Sequence, residues 1–188
     1  MKPPRSPEEI LGRVIKSARL DGWSVGIIAG LGTLVALVLG DPVGISVGLL
    51  VALGGALEVH GYHRLQKRDA RGMRWLARSQ LLVLGTICSY SLSRLLSFDA
   101  GYLQGQVIPD ARVSLKSMGV DLDAMLGEAG LDSASIVAWV RLFFVVLYGS
   151  LLLITLLFQG GLFLYYRRRT AAVEEALRPP PLIPVMRQ

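Results

Sequence analysis

The sequence is poor in the residues on which disulfide-stapled folds and metal enzymes depend. It has one cysteine, Cys88, and two histidines among 188 residues. A single cysteine excludes an intrachain disulfide, and its place in an apolar run predicts a small buried side chain. Neither a P-loop nor an HExxH pattern is present, so two common signatures of phosphate and zinc chemistry are missing. We therefore predict no cofactor and no metal.

Charge is also scarce. Asp, Glu, Lys and Arg make up 18% of the chain, against roughly 25% in soluble domains. Hydrophobic residues make up 52%, the mean hydropathy is +0.50, and the apolar residues are concentrated in long runs. Such runs exclude an ordinary soluble core and predict membrane-spanning helices. The predicted fold is an all-α integral membrane bundle of four transmembrane helices, with a short amphipathic N-terminal helix and a small helical extracytoplasmic cap.

Four apolar segments carry this prediction, together forming a membrane domain over residues 23–166. Tryptophans mark one end of the first and the last segment, and Tyr165 with Tyr166 marks the other end of the last, as expected at membrane interfaces. The third segment is the most polar and spans only if its polar face meets other helices. The predicted spans are residues 23–40, 43–63, 75–97 and 136–166, and the outer loop is 98–135.

Two flanking segments are basic. Residues 1–22 contain a helix start, with Ser6 as N-cap, Pro7 at the first position and Glu9 completing a capping box. Two interpretations stay open for this segment: a basic amphipathic helix lying on the membrane surface, or a helical lead-in to the first span. In residues 167–188, Arg167–Arg169 are expected to stop the fourth span, a short helix is expected to reach Leu177, and the Pro-rich tail is expected to be extended.

The outer loop is acidic and contains two helix signals. Asp110 is predicted to cap a helix ending near Gly119, and Asp121 is predicted to cap another ending near Gly130. Six acidic residues against Arg112 and Lys116 give this loop a negative charge. The loop is therefore expected to face the exterior.

The distribution of Lys and Arg predicts the orientation. Of the 20 basic residues, most lie in residues 1–22, 64–78 and 167–188, which places these segments and both termini in the cytoplasm. Sixteen of the 20 are Arg, a bias that favours a bacterial inner membrane. The expected partner of the basic segments is the lipid bilayer with its anionic headgroups, a more economical partner than nucleic acid.

Small residues recur every four positions in the first two spans. This spacing lets helix backbones approach closely, which is how helices associate in lipid. One interpretation is packing of the first hairpin within one molecule, and the other is the seam of a homo-oligomer or of a complex with a membrane partner. The candidate packing residues are Gly22, Gly26, Gly30, Gly44, Gly48, Ala52 and Ala56.

A few polar residues near the span ends are candidates for a polar or ion site. Glu58, His60 and His63 lie close in sequence, and the histidines are spaced for one helical face, so a proton or ion relay and a metal or haem site are alternatives to plain headgroup contact. Arg94 and Arg141 are expected either to anchor the acidic loop or to form an anion vestibule. The candidate residues are Glu58, His60, His63, Arg78, Arg94 and Arg141.

Three functions follow from these features. The first is a non-catalytic scaffold or accessory subunit that packs through its glycine ridges. The second is a small channel or transporter that uses the polar residues of spans 2–4. The third is a membrane enzyme built on Glu58, His60 and His63.

Overall fold

A computed structural model describes residues 6–128, 130 and 132–178, without the side chains of 122, 123 and 133. The described part of the chain is all-helical and contains no strand, which confirms the predicted fold class at this level. Its helices are α1 (Pro7–Val38), α2 (Pro42–Gln66), α3 (Gly72–Leu96), α4 (Ala100–Tyr102), a π-helical turn (Leu103–Val107), α5 (Ile108–Ser117), α6 (Leu122–Glu128) and α7 (Ser133–Leu177).

Three of these helices, α1, α2 and α7, are long and apolar enough to cross a membrane. Helix α3 meets the same criterion of length and apolarity only when it is taken together with Ala100–Ser117. The two helices are bent by 61° relative to each other. The described chain thus offers three candidate spans, or four if the bent pair is one span. These helices are those of a multi-pass membrane protein.

Helix α1 begins as predicted but does not end at residue 22. Ser6 is the N-cap and accepts a hydrogen bond from the Glu9 backbone N–H, and Pro7 occupies the first turn. The helix then runs unbroken for 32 residues. Because Val14 and Ala18 are fully buried, the N-terminal part packs against other helices. A separate amphipathic surface helix is therefore wrong, and the helical lead-in is the arrangement that forms.

The chain divides into two compact units. Unit 1 contains the described residues up to Ile87 and those from Thr155 onward, and unit 2 contains Cys88–Ile154. Unit 1 has a hydrophobic core to which four helices contribute. Its buried members are Val14 and Ala18 of α1, Tyr62 and Leu65 of α2, Met73 and Leu76 of α3, and Tyr166 and Val173 of α7.

We call the part of unit 1 around this core the basic end, comprising described residues 6–22, 58–80 and 162–178. Helices α2 and α3 are joined here by a short turn in which Arg68 has a positive φ of 59°. The Asp69 carboxylate accepts from the Arg71 backbone N–H at 2.9 Å and from Arg64 at 2.8 Å. The Arg71 N–H, and after it Arg64, hold the pKa of the Asp69 carboxyl below its usual range.

Unit 2 contains the end of α3, the helices of the acidic loop and the start of α7. Asp99, and not Asp110, caps the first helix of the loop by accepting from the Gly101 and Tyr102 N–H groups. Asp110 cannot act as a cap because the chain is already helical before it, and Pro109 continues that helix. Asp121 does accept from the N–H of Ala124 at the start of α6, as predicted.

Helix α7 is 45 residues long and passes through Arg167–Arg169 without a break. These arginines therefore do not stop the helix; they end only its apolar stretch, because Arg has good helix propensity. The expected helix to Leu177 is part of the same element. The predicted extended tail, residues 179–188, lies outside the described residues.

Candidate functional site

Four buried polar side chains of unit 1 form one hydrogen-bonded group, which we call the polar cluster: Asp21, Glu58, Gln80 and Tyr166. Each comes from a different long helix, α1, α2, α3 and α7 in that order. The Tyr166 hydroxyl donates to Glu58 Oε1 at 2.7 Å. Gln80 Nε2 donates to Glu58 Oε2 at 2.8 Å and to Asp21 Oδ2 at 3.0 Å. Glu58 thus joins α2 directly to α3 and α7, and Gln80 continues the connection to Asp21 of α1.

The cluster is almost completely shielded from solvent. Asp21 is 7% exposed, Glu58 2%, Gln80 1% and Tyr166 0%. A carboxylate removed from water is costly unless hydrogen bonds replace its solvation. The donors that replace it for Glu58 are neutral, an amide and a phenol. This is a polar group set within a protein interior, not an exposed ion pair.

Close glycine contacts bring α1 and α2 together beside the cluster. A Cβ added to Gly55 would lie 2.9 Å from both the Gly22 carbonyl oxygen and the Gly26 nitrogen. Gly22 adjoins Asp21 in sequence, and Gly55 lies one turn before Glu58. The absence of side chains at this crossing lets the two acidic residues reach the same amide group.

A second glycine crossing joins α2 to α3. A Cβ on Gly72 would lie 2.6 Å from the Gly61 carbonyl oxygen, and a Cβ on Gly61 would lie 3.1 Å from the Gly72 carbonyl oxygen. Gly61 is one turn after Glu58, so the cluster lies between the two crossings. The backbone spacing, and not the polar residues alone, therefore determines the geometry of the cluster.

The acidic residues share one donor. Asp21 Oδ2 and Glu58 Oε2 both accept from Gln80 Nε2, and the buried Gln80 Oε1 has no hydrogen-bond partner among the described residues. Two carboxylates in one buried site repel each other when both are ionised, and a bound proton or small cation offsets that repulsion. The cluster can therefore act as a structural junction or as a binding site for a positive charge.

The structure separates Glu58 from the two histidines with which the sequence grouped it. His60 is exposed; its Nε2 accepts from Arg64 Nε at 2.9 Å, and its ring meets Trp75 edge-on at 5.3 Å. His63 is also exposed and lies 3.2 Å from Gln66. The reason is helical geometry: at about 3.6 residues per turn, offsets of two and of five positions both point a side chain away from the Glu58 side of α2. Within the described residues, no three His, Cys, Asp or Glu side chains come close enough to hold a metal ion.

The candidate arginines lie in different environments. Arg78 of unit 1 lies over the Trp75 ring at 5.6 Å. In unit 2, Arg94 lies over the Tyr90 ring at 5.2 Å, and exposed Arg141 lines a cavity of about 450 Å³ with Leu142 and Val145. None of these arginines belongs to the polar cluster.

The predicted small-residue ridges meet neighbours within the chain at some positions only. Gly22 contacts α2, Gly44 would place a Cβ 3.0 Å from Ala36, and Gly48 lies against Thr33. A Cβ on Gly26 or Gly30 would meet open space, although the Gly26 backbone contacts Gly55. Ala52 is half-buried and Ala56 is exposed. The first hairpin thus uses part of both ridges for its own packing.

Two pentapeptides match the GxSxG pattern of serine hydrolases, at residues 22–26 and 44–48. That pattern needs a sharp strand-to-helix turn to expose the serine. Here Ser24 and Ser46 lie inside helices, and their hydroxyls donate to the backbone carbonyls of Asp21 and Pro42. Neither serine is placed as a nucleophile.

Sequence reasoning found Glu58 but missed its three partners. Asp21 precedes the first predicted span and Gln80 lies in the polar third span, so neither stands out from its neighbours in the sequence. Tyr166 was assigned to a membrane interface, yet it is fully buried. One signal in the sequence points to this pairing. Asp21 is the acidic residue just before span 1, and Glu58 is the acidic residue within span 2. Both lie at the ends of these spans that are predicted to face the cytoplasm.

No protein-family model matches this chain, and no curated protein or solved structure matches it significantly.

Proposed function

We propose that this chain is a four-span membrane protein without a reaction of its own, acting as a scaffold or accessory subunit in a bacterial inner membrane. The observation that supports this proposal best is the polar cluster. One side chain from each of four long helices enters it, and Glu58 receives hydrogen bonds on both carboxylate oxygens. A buried carboxyl group with a donor on each oxygen ties its helices together and favours a rigid platform.

Exposed apolar surface supports a role in assembly. The segment of α7 from Leu142 to Phe158 exposes large side chains around most of its circumference, and only 6% of its most apolar stretch is buried. Lipid covers part of such a surface, and a membrane partner or a second copy covers the rest. Gly30, with open space beside it, offers a position where another helix backbone can approach closely.

Cross-linking in native membranes tests the assembly. The only cysteine is first replaced, Cys88→Ala, and a new cysteine is then introduced as Gly30→Cys or, as a matched control, as Gly12→Cys. We expect covalent dimers, or a cross-link to one defined membrane protein, from Gly30→Cys. Gly12 also has open space around it but lies at the basic end. A purely monomeric Gly30→Cys protein that also purifies without any partner contradicts the scaffold.

The proposed topology places the basic end and both termini in the cytoplasm. The three candidate spans and the bent pair support four crossings, and the basic residues at one end support the direction. Reporter fusions after residues 70 and 188 are expected to behave as cytoplasmic, and a fusion after residue 115 as exported. A cytoplasmic reporter at 115 contradicts this arrangement.

A proton- or cation-conducting carrier is the second candidate. It is favoured by the two buried carboxylates that share the Gln80 amide, and by the unpartnered Gln80 Oε1 beside them. Intramembrane acidic residues commonly mark ion pathways. Purified protein in vesicles with an imposed pH gradient tests this function through a trapped pH-sensitive dye. A carrier dissipates the gradient and loses this activity in Glu58→Gln and Asp21→Asn but not in Asp69→Asn, whereas a scaffold leaves the gradient intact in all four proteins.

A further inference from the structure

The basic end contains an open cavity of about 390 Å³ whose lining is unusually rich in arginine. Four guanidinium groups and one indole surround it: Arg64, Arg71, Arg74, Trp75 and Arg78. All five belong to the end of α2, the turn after it and the first two turns of α3. The polar cluster does not contribute to this cavity.

A chain of contacts holds two of the arginines in place. Arg64 Nη1 bonds to Asp69 Oδ2 at 2.8 Å, and Arg64 Nε donates to His60. The His60 ring meets Trp75, and Trp75 in turn lies under Arg78 at 5.6 Å. A ligand therefore meets side chains that are already ordered, which reduces the entropy lost on binding.

The charges around the cavity are not balanced. Asp69 neutralises Arg64, and Arg71, Arg74 and Arg78 add three further positive charges. Arg71 and Arg74 also lie at the start of α3, whose first turn contains no acidic residue. The N-terminus of a helix carries a partial positive charge, which repels the neighbouring arginines. A bound anion is attracted both by the helix N-terminus and by the arginines. Planar guanidinium groups match phosphate oxygens in pairs.

The cavity lies where lipid headgroups are expected. Arg78 is followed within one turn by the apolar stretch Leu81–Leu84 of α3, about 4.5 Å further along the helix axis. The half-buried Trp75 beside it is a residue type that prefers the membrane interface. A phosphate group at this level would reach the arginines while its acyl chains lie beside the apolar part of α3.

We propose that this arginine cavity binds the headgroup of an anionic lipid that carries more than one phosphate charge. Three unbalanced arginines around one opening favour a doubly charged headgroup, such as that of cardiolipin, over a singly charged one. The assignment rests on the proposed membrane placement of the basic end. A free diphosphate has the same chemistry and is the competing source.

Lipid retention measured by native mass spectrometry tests the proposal. The full-length protein is reconstituted in phosphatidylcholine bilayers containing equal amounts of phosphatidylglycerol and cardiolipin, and is then released into mild detergent. The test variant is Arg74→Gln/Arg78→Gln. The control is Arg167→Gln/Arg168→Gln, which removes the same charge from exposed positions of α7 at the same end.

We expect the wild type and the control to retain cardiolipin in preference to phosphatidylglycerol. The test variant should bind it roughly thirtyfold more weakly, since two basic residues near an anionic lipid contribute about 2 kcal/mol, at about 1.4 kcal/mol per tenfold. Equal losses in both variants, or no loss in either, would overturn the site. The wild type and the test variant should show the same thermal unfolding in pure phosphatidylcholine, which separates lost binding from lost folding.

A competition arm identifies the source of the phosphate. Inorganic pyrophosphate is added to the lipid-loaded protein in detergent. Retained cardiolipin supports a lipid site, and complete displacement with saturable pyrophosphate binding overturns it in favour of a soluble ligand. Failure of the proposed membrane placement is measured separately, by the reporter fusions after residues 70, 115 and 188.

Discussion

Unit 1 has two ends that contain the same kinds of apolar side chain in opposite environments. At the basic end, Leu76 is 0% exposed and Leu65 1%, because α1, α2, α3 and α7 all pack there. At the other end, where α1 turns into α2, Leu31 is 60% exposed and Val38 86%. Only small residues such as Ala29 and Ala36 are buried in that part of α1.

This difference shows which medium each end is built for. The basic end buries its apolar residues against protein, as a water-soluble domain does. The hairpin end buries only the small residues of the α1–α2 contact and turns its large residues outward, which is stable only in lipid or against a partner. The polar cluster lies at the boundary between these two environments.

The largest expected effect tests the protein-like core directly. Leu76→Ala removes a fully buried side chain and should lower the free energy of unfolding by about 2–5 kcal/mol. Leu31→Ala, the matched change at the hairpin end, should cost less than about 0.5 kcal/mol because its side chain contacts detergent or lipid. Thermal unfolding of both variants in one detergent measures the difference. Equal losses of stability in Leu76→Ala and Leu31→Ala would show that the two ends do not differ in how they bury apolar side chains.

The helix crossing next to the cluster should be nearly as sensitive. Gly55→Ala places a Cβ 2.9 Å from two backbone atoms of α1, so the helices must separate, at about 1–3 kcal/mol. Gly30→Ala meets open space and should instead stabilise α1 by up to about 1 kcal/mol through helix propensity. The two melting temperatures should therefore move in opposite directions; a shift of the same sign in both would contradict the crossing.

Loss of one hydrogen bond in the cluster should have a moderate effect. Tyr166→Phe keeps the buried ring but leaves the buried Glu58 Oε1 without its donor, at about 1–3 kcal/mol. Tyr165→Phe is the control, since this neighbouring ring is only half-buried and lies against Arg169. Chemical unfolding monitored by tryptophan fluorescence measures both. An unchanged Tyr166→Phe protein would mean that the cluster does not hold α7.

The smallest expected effect lies in the turn between α2 and α3. The pKa of Asp69 is lower in the folded protein than in the unfolded chain, where it is about 3.9. The ionised Asp69 therefore stabilises the folded protein fully above the unfolded pKa. This stabilisation is lost as the pH falls through the pKa of the folded protein. Wild type should melt slightly above Asp69→Asn at neutral pH, and the two should converge in acid. A constant difference down to acid pH would argue against the ionised carboxylate as the cause.

Local patterns in the sequence were sufficient for most of the helical structure. The Ser6–Pro7 start and the Asp121 cap both depend on residues within four positions of each other, and both occur in the structure. The wrong predictions concern residues where a local cap or stop signal lies inside a helix that extends beyond it. Asp110 lost its capping role because Asp99 had started a helix earlier, and Arg167–Arg169 did not interrupt a helix that packs on both sides of them.

The candidate site was only partly predictable. Glu58 was noticeable as an acidic residue in an apolar span, and its grouping with His60 and His63 followed sequence distance. Hydrogen bonding joins it instead to Gln80 and Tyr166, which lie 22 and 108 positions away. Such partners are selected by how helices cross, and no spacing within one helix reveals a crossing.

The sequence alone determined that the chain is helical, that its long apolar runs belong in a membrane, and where several of its helices begin. Those properties depend on backbone propensity, capping and hydropathy, which act over short stretches of chain. Only the tertiary structure decided that Asp21, Glu58, Gln80 and Tyr166 meet, and that four arginines and Trp75 line one open cavity. The physical reason is that close packing at glycine crossings sets the distance and rotation between helices, and these depend on contacts among distant segments.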